Sequence, residues 1–129
     1  MKQLNERTSA VLALSFTDLV GKKVVPISGK YQIVDKESGT ILKVWTDFAP
    51  SLATYEININ EEYNRIIDDS NNIEVRIVSI VVQYSLNRQT TSEFWYEIIN
   101  LYNIPPTIET SSTGGYSLGG TALIVGTHI

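Results

Sequence analysis

Two β-prone runs within residues 73–100 constrain what this chain can fold into more than any other feature. The first reads Ile73-Glu-Val-Arg-Ile-Val-Ser-Ile-Val-Val-Gln-Tyr84, and the second reads Ser92-Glu-Phe-Trp-Tyr-Glu-Ile-Ile-Asn100. Both are dense in β-branched and aromatic side chains, which suit a pleated, half-buried surface. In the first run Ile73, Val75 and Ile77 alternate with Glu74 and Arg76, so the pattern predicts the aliphatic set inward and the charged pair toward water. Past Ser79 the parity changes: Ile80, Val82 and Tyr84 line up with Val78. A side-chain period of two accommodates that change through a bulge near Val78-Ser79 or through burial on both faces. The polar break Ser85–Thr91 suits a hairpin loop longer than two residues. The expectation is a long central hairpin covered by the remaining strands.

Those strands are legible in order. Thr8–Phe16 places Ala10, Leu12, Leu14 and Phe16 on one apolar face. Val24-Val-Pro26 suits a short edge segment, because proline cannot donate to a ladder. Lys30–Asp35 follows with Tyr31 and Ile33 inward, then the turn Lys36-Glu-Ser-Gly39. Thr40–Thr46 carries Trp45, a candidate to pack between sheets. Thr54–Asn60 alternates most cleanly, with Tyr55, Ile57 and Ile59 inward and Glu56, Asn58 and Asn60 outward. Glu61–Ile67 fits a helical turn with Tyr63, Ile66 and Ile67 toward the core, before the turn Asp68–Asn72. No 3.6-residue period is sustained, so the pattern indicates an all-β, antiparallel sandwich.

At 129 residues the chain suits one domain able to bury about two-thirds of its unfolded surface. With no cysteine it offers neither a disulfide framework nor a thiolate metal site. A net charge of −4 with ten scattered basic residues lacks the basic stripe of a nucleic-acid binder. The first residues lack the apolar core of a signal peptide, and no apolar run approaches the roughly 20 residues that span a bilayer. The expectation is a soluble protein with no nucleic-acid or membrane partner, folded in a cytoplasm. Residues 1–7 read as a polar arm and 8–104 as the sandwich. Residues 105–129 read as a Gly/Ser/Thr-rich linker and an apolar arm. That last segment, Thr121–Ile129, has two readings: a final strand of the same sandwich, or an arm that adds to a neighbour's sheet edge. The glycine-rich linker gives reach and favours the arm, with Tyr116, Leu118, Leu123, Ile124, Val125 and Ile129 as its contact residues.

Chemistry is sparse. The single histidine, His128, sits in an apolar tail where a triad is not expected. Asp68 and Asp69 with Asn71 and Asn72 offer calcium-type oxygens, yet such clusters are also what turns are made of. Glu93 and Glu97 flank Trp95 on one strand parity, an arrangement to weigh against a glycosidase cleft and more simply an outward face. Gly114-Gly115 and Gly119-Gly120 precede no helix, which removes a phosphate loop. Trp45, Tyr55, Tyr84, Phe94, Trp95 and Tyr96 suit a sugar platform or, more simply, a core. The residues thus predict no enzyme, no metal and no cofactor.

Tyr31-Gln-Ile-Val-Asp-Lys-Glu-Ser-Gly-Thr-Ile, the run Ile73–Tyr84 and Glu93-Phe-Trp-Tyr-Glu-Ile-Ile-Asn-Leu-Tyr-Asn-Ile104 resemble immunoglobulin-like or fibronectin-III-like modules of tailed-bacteriophage virion proteins. The likeness spans about residues 8–104 and lacks the inter-sheet cysteine pair of antibody domains. It implies a virion structural component made in a bacterial host. A capsid decoration or cement protein, bound to the major capsid protein and to its own copies, is foremost; a neck or tail position comes next. A carbohydrate- or cell-surface-binding sandwich using Trp95 or Tyr116 is the competing class.

Overall fold

The computed structural model describes residues 1–102 and the backbone of 121–128. Eight strands run in the order β1 (Lys2–Asn5), β2 (Ser9–Ser15), β3 (Ser28–Asp35), β4 (Ile41–Phe48), β5 (Thr54–Ile59), β6 (Ile73–Ser85), β7 (Arg88–Ile99) and β8 (Thr121–His128). A short 3-10 helix, Glu61–Asn64, lies between β5 and β6. Five strands form one sheet in the order β1-β7-β6-β3-β4, and three form the other as β5-β2-β8. The two apolar faces meet as an all-β sandwich.

Alternation builds the core as expected for β2, β3 and β5. Leu12, Leu14, Phe16, Ile57 and Ile59 come from the smaller sheet, and Tyr31, Ile33, Val78, Ile80, Val82 and Tyr96 from the larger. Burying each such aliphatic or aromatic side chain contributes roughly 1.5–3 kcal/mol before chain entropy is counted. Phe48 closes one end of this core, stacked on Tyr55 at 4.5 Å between ring centres. Its ring lies so close to Gly29 that a Cβ there would fall 2.4 Å from Phe48 Cζ. Only glycine fits beneath it.

The central hairpin departs from expectation in an instructive way. β6 pairs with β7 without irregularity from Ile73↔Ile99 to Gln83↔Gln89, so there is no bulge near Val78-Ser79. One unbroken alternation runs the length of the strand, and Glu74 and Arg76 lie on the buried face with Val78, Ile80 and Val82. Ile73, Val75 and Ile77 therefore face outward. A register shift occurs instead between Gln83 and Ser85, and the two residues Leu86-Asn87 make the turn rather than a longer loop.

Five further expectations are corrected. Residues 2–5 are not a loose arm: β1 pairs in parallel with β7, and Leu4 is buried. The sandwich is thus mixed rather than purely antiparallel. β8 also runs parallel to β2, from Ser9↔Thr121 to Ser15↔His128, so this segment joins the chain's own smaller sheet instead of reaching away. Trp45 is 44% exposed on the outer face, not packed between sheets. Val24–Pro26 forms no strand; the nearest pairing is an isolated bridge between Thr17 and Lys23.

Candidate functional site

The antiparallel pairings divide the connections between two ends of the sandwich. At one end lie the β1–β2 turn, the β3–β4 turn, the 3-10 segment and the residues after β7. At the other lie the β2–β3, β4–β5 and β6–β7 connections.

The first end holds buried charge. Arg76 is fully buried, and its Nη1 donates to Asp35 Oδ1 at 2.6 Å while Nη2 donates to Glu74 Oε1 at 3.1 Å. Its Nε and Nη2 also reach the backbone carbonyls of Tyr63 and Arg65. Asp35 Oδ2 accepts from the Ser38 amide and hydroxyl. Glu74 accepts from the amides of Ile67 and Asp68 and from Asn71 Nδ2. Burial alone would raise the Glu74 pKa, but these donors together with Arg76 outweigh it and hold the carboxyl below its ordinary range. Asn64 ties the same segment across the layers, donating to the Thr8 carbonyl and accepting from the Tyr96 hydroxyl at 2.7 Å. Burial pushes the Tyr96 phenol pKa up, so it stays a donor. Ion pairs of this kind fix geometry because each nitrogen of the guanidinium and each of the two carboxylates is hydrogen-bonded. The arrangement pins the β5–β6 crossover in place.

The second end does the reverse. Asp18 Oδ1 accepts from the amides of Val20 and Lys22, and Gly21 takes a left-handed φ of 84°. A tight turn results, whose tip presents Leu19 and Val20 at 89% and 85% exposure. Phe16 and Ile27 tie this connection to Ala53 and Gln83 through backbone hydrogen bonds of 2.9 and 2.8 Å. Leu52 in the β4–β5 connection and Leu86 in the β6–β7 turn are exposed at the same end. Loop-borne side chains on a rigid scaffold are the usual place for binding, and clustered exposed apolar groups mark interaction sites.

The outer face of the larger sheet carries the two tryptophans. A shallow groove there is lined by Trp45 of β4, Ser79 and Val81 of β6, and Thr91 and Glu93 of β7, but by no residue of the intervening β3. The indole of Trp45 therefore reaches across β3, with Lys30 Nζ 5.3 Å from its ring centre. Trp95 donates from Nε1 to Glu93 Oε1 at 3.2 Å, and Lys36 stands over its ring.

The residues singled out from sequence fare differently. Glu93 and Glu97 share a face but stand four positions apart, about 13 Å along the strand backbone, where a glycosidase pair holds its carboxyls roughly 5–9.5 Å apart. Asp68 Oδ1 accepts from the Ser70 hydroxyl and amide, the hydroxyl lowering its pKa most. Asn71 bonds Glu74, and Asn72 accepts from the Tyr102 hydroxyl. That cluster is thus occupied in holding its own turn, and among the described residues no three acids, histidines or cysteines gather as a metal site. Of the six aromatics, Tyr96 is buried and Tyr55, Tyr84 and Phe94 pack on the core, leaving Trp45 and Trp95 outward. Leu123, Ile124 and Val125 fall in β8 opposite Val11, Leu12 and Ala13. Tyr116, Leu118 and Ile129 lie outside the described residues, and so does the His128 side chain. The residues that sequence reasoning missed are Asp35, Glu74 and Arg76, and the loop-tip residues Leu19, Val20, Leu52 and Leu86. Asp35 shares a parity with Tyr31 and Ile33, a signal available in the sequence. Compared with known proteins, the chain matches no protein-family model and no curated protein.

Proposed function

We propose that this protein is a non-enzymatic structural component of a tailed-bacteriophage virion, a decoration or cement protein that binds the major capsid protein and its own copies. The observation that carries the reading is the loop end: apolar side chains held out by a turn that Asp18 rigidifies, with Leu52 and Leu86 exposed at the same end. A turn backbone already held by hydrogen bonds loses little entropy on docking, which favours binding. Strand order supports the resemblance. Lettered in the immunoglobulin manner, β2 to β7 take the places B, C, C′, E, F and G, with C′CFG facing BE. The apolar tips then lie on the B–C, C′–E and F–G connections, at the end that antibody domains use for recognition; that parallel is one of fold alone. Many modest contacts on a lattice gain strength together.

The test is co-sedimentation with capsid shells. A Leu19→Ser, Val20→Ser, Leu86→Ser variant that stays folded by circular dichroism is expected to remain in the supernatant. Wild-type-like pelleting of that variant would sink the reading, and pelleting with tails but not heads would move the protein to a tail position.

The groove at Trp45 favours a second reading, a carbohydrate-binding face. A pyranose ring stacks its C–H face on an indole, and Ser79, Thr91 and Glu93 offer hydroxyl partners. Glycan-array binding lost in Trp45→Ala or Trp95→Ala supports it; an array blank for the wild type removes it.

A further inference from the structure

Beside the 3-10 helix lies a cavity of about 650 Å³ lined by Arg7, Leu42, Glu62, Tyr63 and Arg65. It is separate from the buried Arg76 cluster, although Arg65 lends its carbonyl to that cluster. Arg7 occupies the β1–β2 turn at a φ of 63°, in the left-handed region, and its amide donates to the Asn64 carbonyl at 2.9 Å. The backbone thus holds the side chain at the cavity in a conformation that non-glycine residues seldom adopt. Its Nε is buried and has no hydrogen-bond partner among the described residues. Buried donors are nearly always satisfied, so the Arg7 guanidinium is left short of one hydrogen bond within the fold.

Charge points the same way. Among the described residues neither Arg7 nor Arg65 lies within ion-pairing distance of a carboxylate. Lys43 adds a third cation, 5.3 Å from the centre of the Tyr63 ring that lines the cavity. Against these three stand Glu62 in the lining and Glu61 on the same 3-10 helix. An excess of positive charge therefore gathers at one place on a chain whose net charge is −4. Guanidinium groups offer forked donors matched to the paired oxygens of a carboxylate or phosphate.

We propose that this cavity binds an oxyanion, a carboxylate or a phosphate group, through the guanidinium groups of Arg7 and Arg65. The site goes beyond the assembly reading and stands or falls apart from it. Nucleic acid does not suit it, because the positive charge is local and forms no stripe.

Isothermal titration of the full chain with inorganic phosphate, and separately with succinate, at fixed ionic strength in a chloride background tests the site. Saturable one-site binding is expected for at least one of them, and which anion binds separates the phosphate source from the carboxylate source. Arg65→Met, at an exposed position, is expected to weaken binding about ten-fold, as a lost charge-assisted contact does. Arg7→Lys keeps the charge without the fork and should weaken it comparably, whereas Arg7→Met abolishes it. Absence of saturable binding by either anion would overturn the proposal. Unchanged affinity in both Arg7→Met and Arg65→Met, with each variant folded by circular dichroism, would equally overturn the proposal.

Discussion

The two ends of the sandwich invert the usual partition of side chains. One end buries an arginine and two carboxylates; the other exposes leucine and valine at its loop tips. At the charged end each group meets a partner, so burial is tolerated and the crossover is locked. At the apolar end Leu19 and Val20 stand exposed, yet the turn beneath them is well bonded. On the proposed function, stability and recognition fall to opposite ends, and substitutions should separate them.

Arg76→Met should have the largest effect. It strands Asp35 and Glu74 without their counter-charge and is expected to destabilise by about 3–5 kcal/mol, measured by urea denaturation. A loss under about 1 kcal/mol would mean that water reaches the pair and the charged end is not sealed. Tyr96→Phe, which leaves Asn64 Oδ1 without its donor, should cost about 1–3 kcal/mol in the same assay. Gly29→Ala sharpens the contrast from the apolar end. The Phe48 ring must move, at about 1–3 kcal/mol, although nothing polar is touched.

Acid should act on the charged end first. The lowered pKa of Glu74 means that its contribution is complete above the ordinary carboxylate value of 4.5 and is lost as pH falls through the folded value. Denaturation midpoints of Glu74→Gln should therefore fall less steeply below pH 4.5 than those of the wild type. Parallel curves would assign the acid sensitivity elsewhere. The smallest effect on stability, within about 0.5 kcal/mol, is expected for Leu19→Ser and Leu86→Ser. The same two variants should be the ones that alter association, read by sedimentation velocity.

Much of this fold could be read from alternation alone. Ala10 to Phe16 and Tyr55 to Ile59 lie on the faces that their pattern assigns. Ile73 to Ile77 do not, for a definable reason. A period of two tells which residues share a face, and it leaves open which face is dry. Hydrophobicity normally settles that choice, but here Val78, Ile80 and Val82 carry Glu74 and Arg76 inward with them. The partners that make this tolerable are remote in sequence: Asp35, Ser38 and the backbone of residues 63–68. The parity of Asp35 with Tyr31 and Ile33 marks it as inward, but no local pattern links it, Ser38 or that backbone to Arg76. The loop-end residues escaped for the opposite reason. Scattered apolar residues in turns carry no period, and only the pairing of strands brings residues 19, 52 and 86 to one end.

The parallel pairing of β1 with β7 bears on mechanics. A pull on residue 1 opposed by a pull on the chain beyond residue 99 draws these two strands past each other lengthwise. The rungs from Lys2↔Tyr96 to Asn5↔Ile99 then share the load and must yield together rather than unzip one by one. A module seated on a shell under internal pressure would gain from resisting force along that axis.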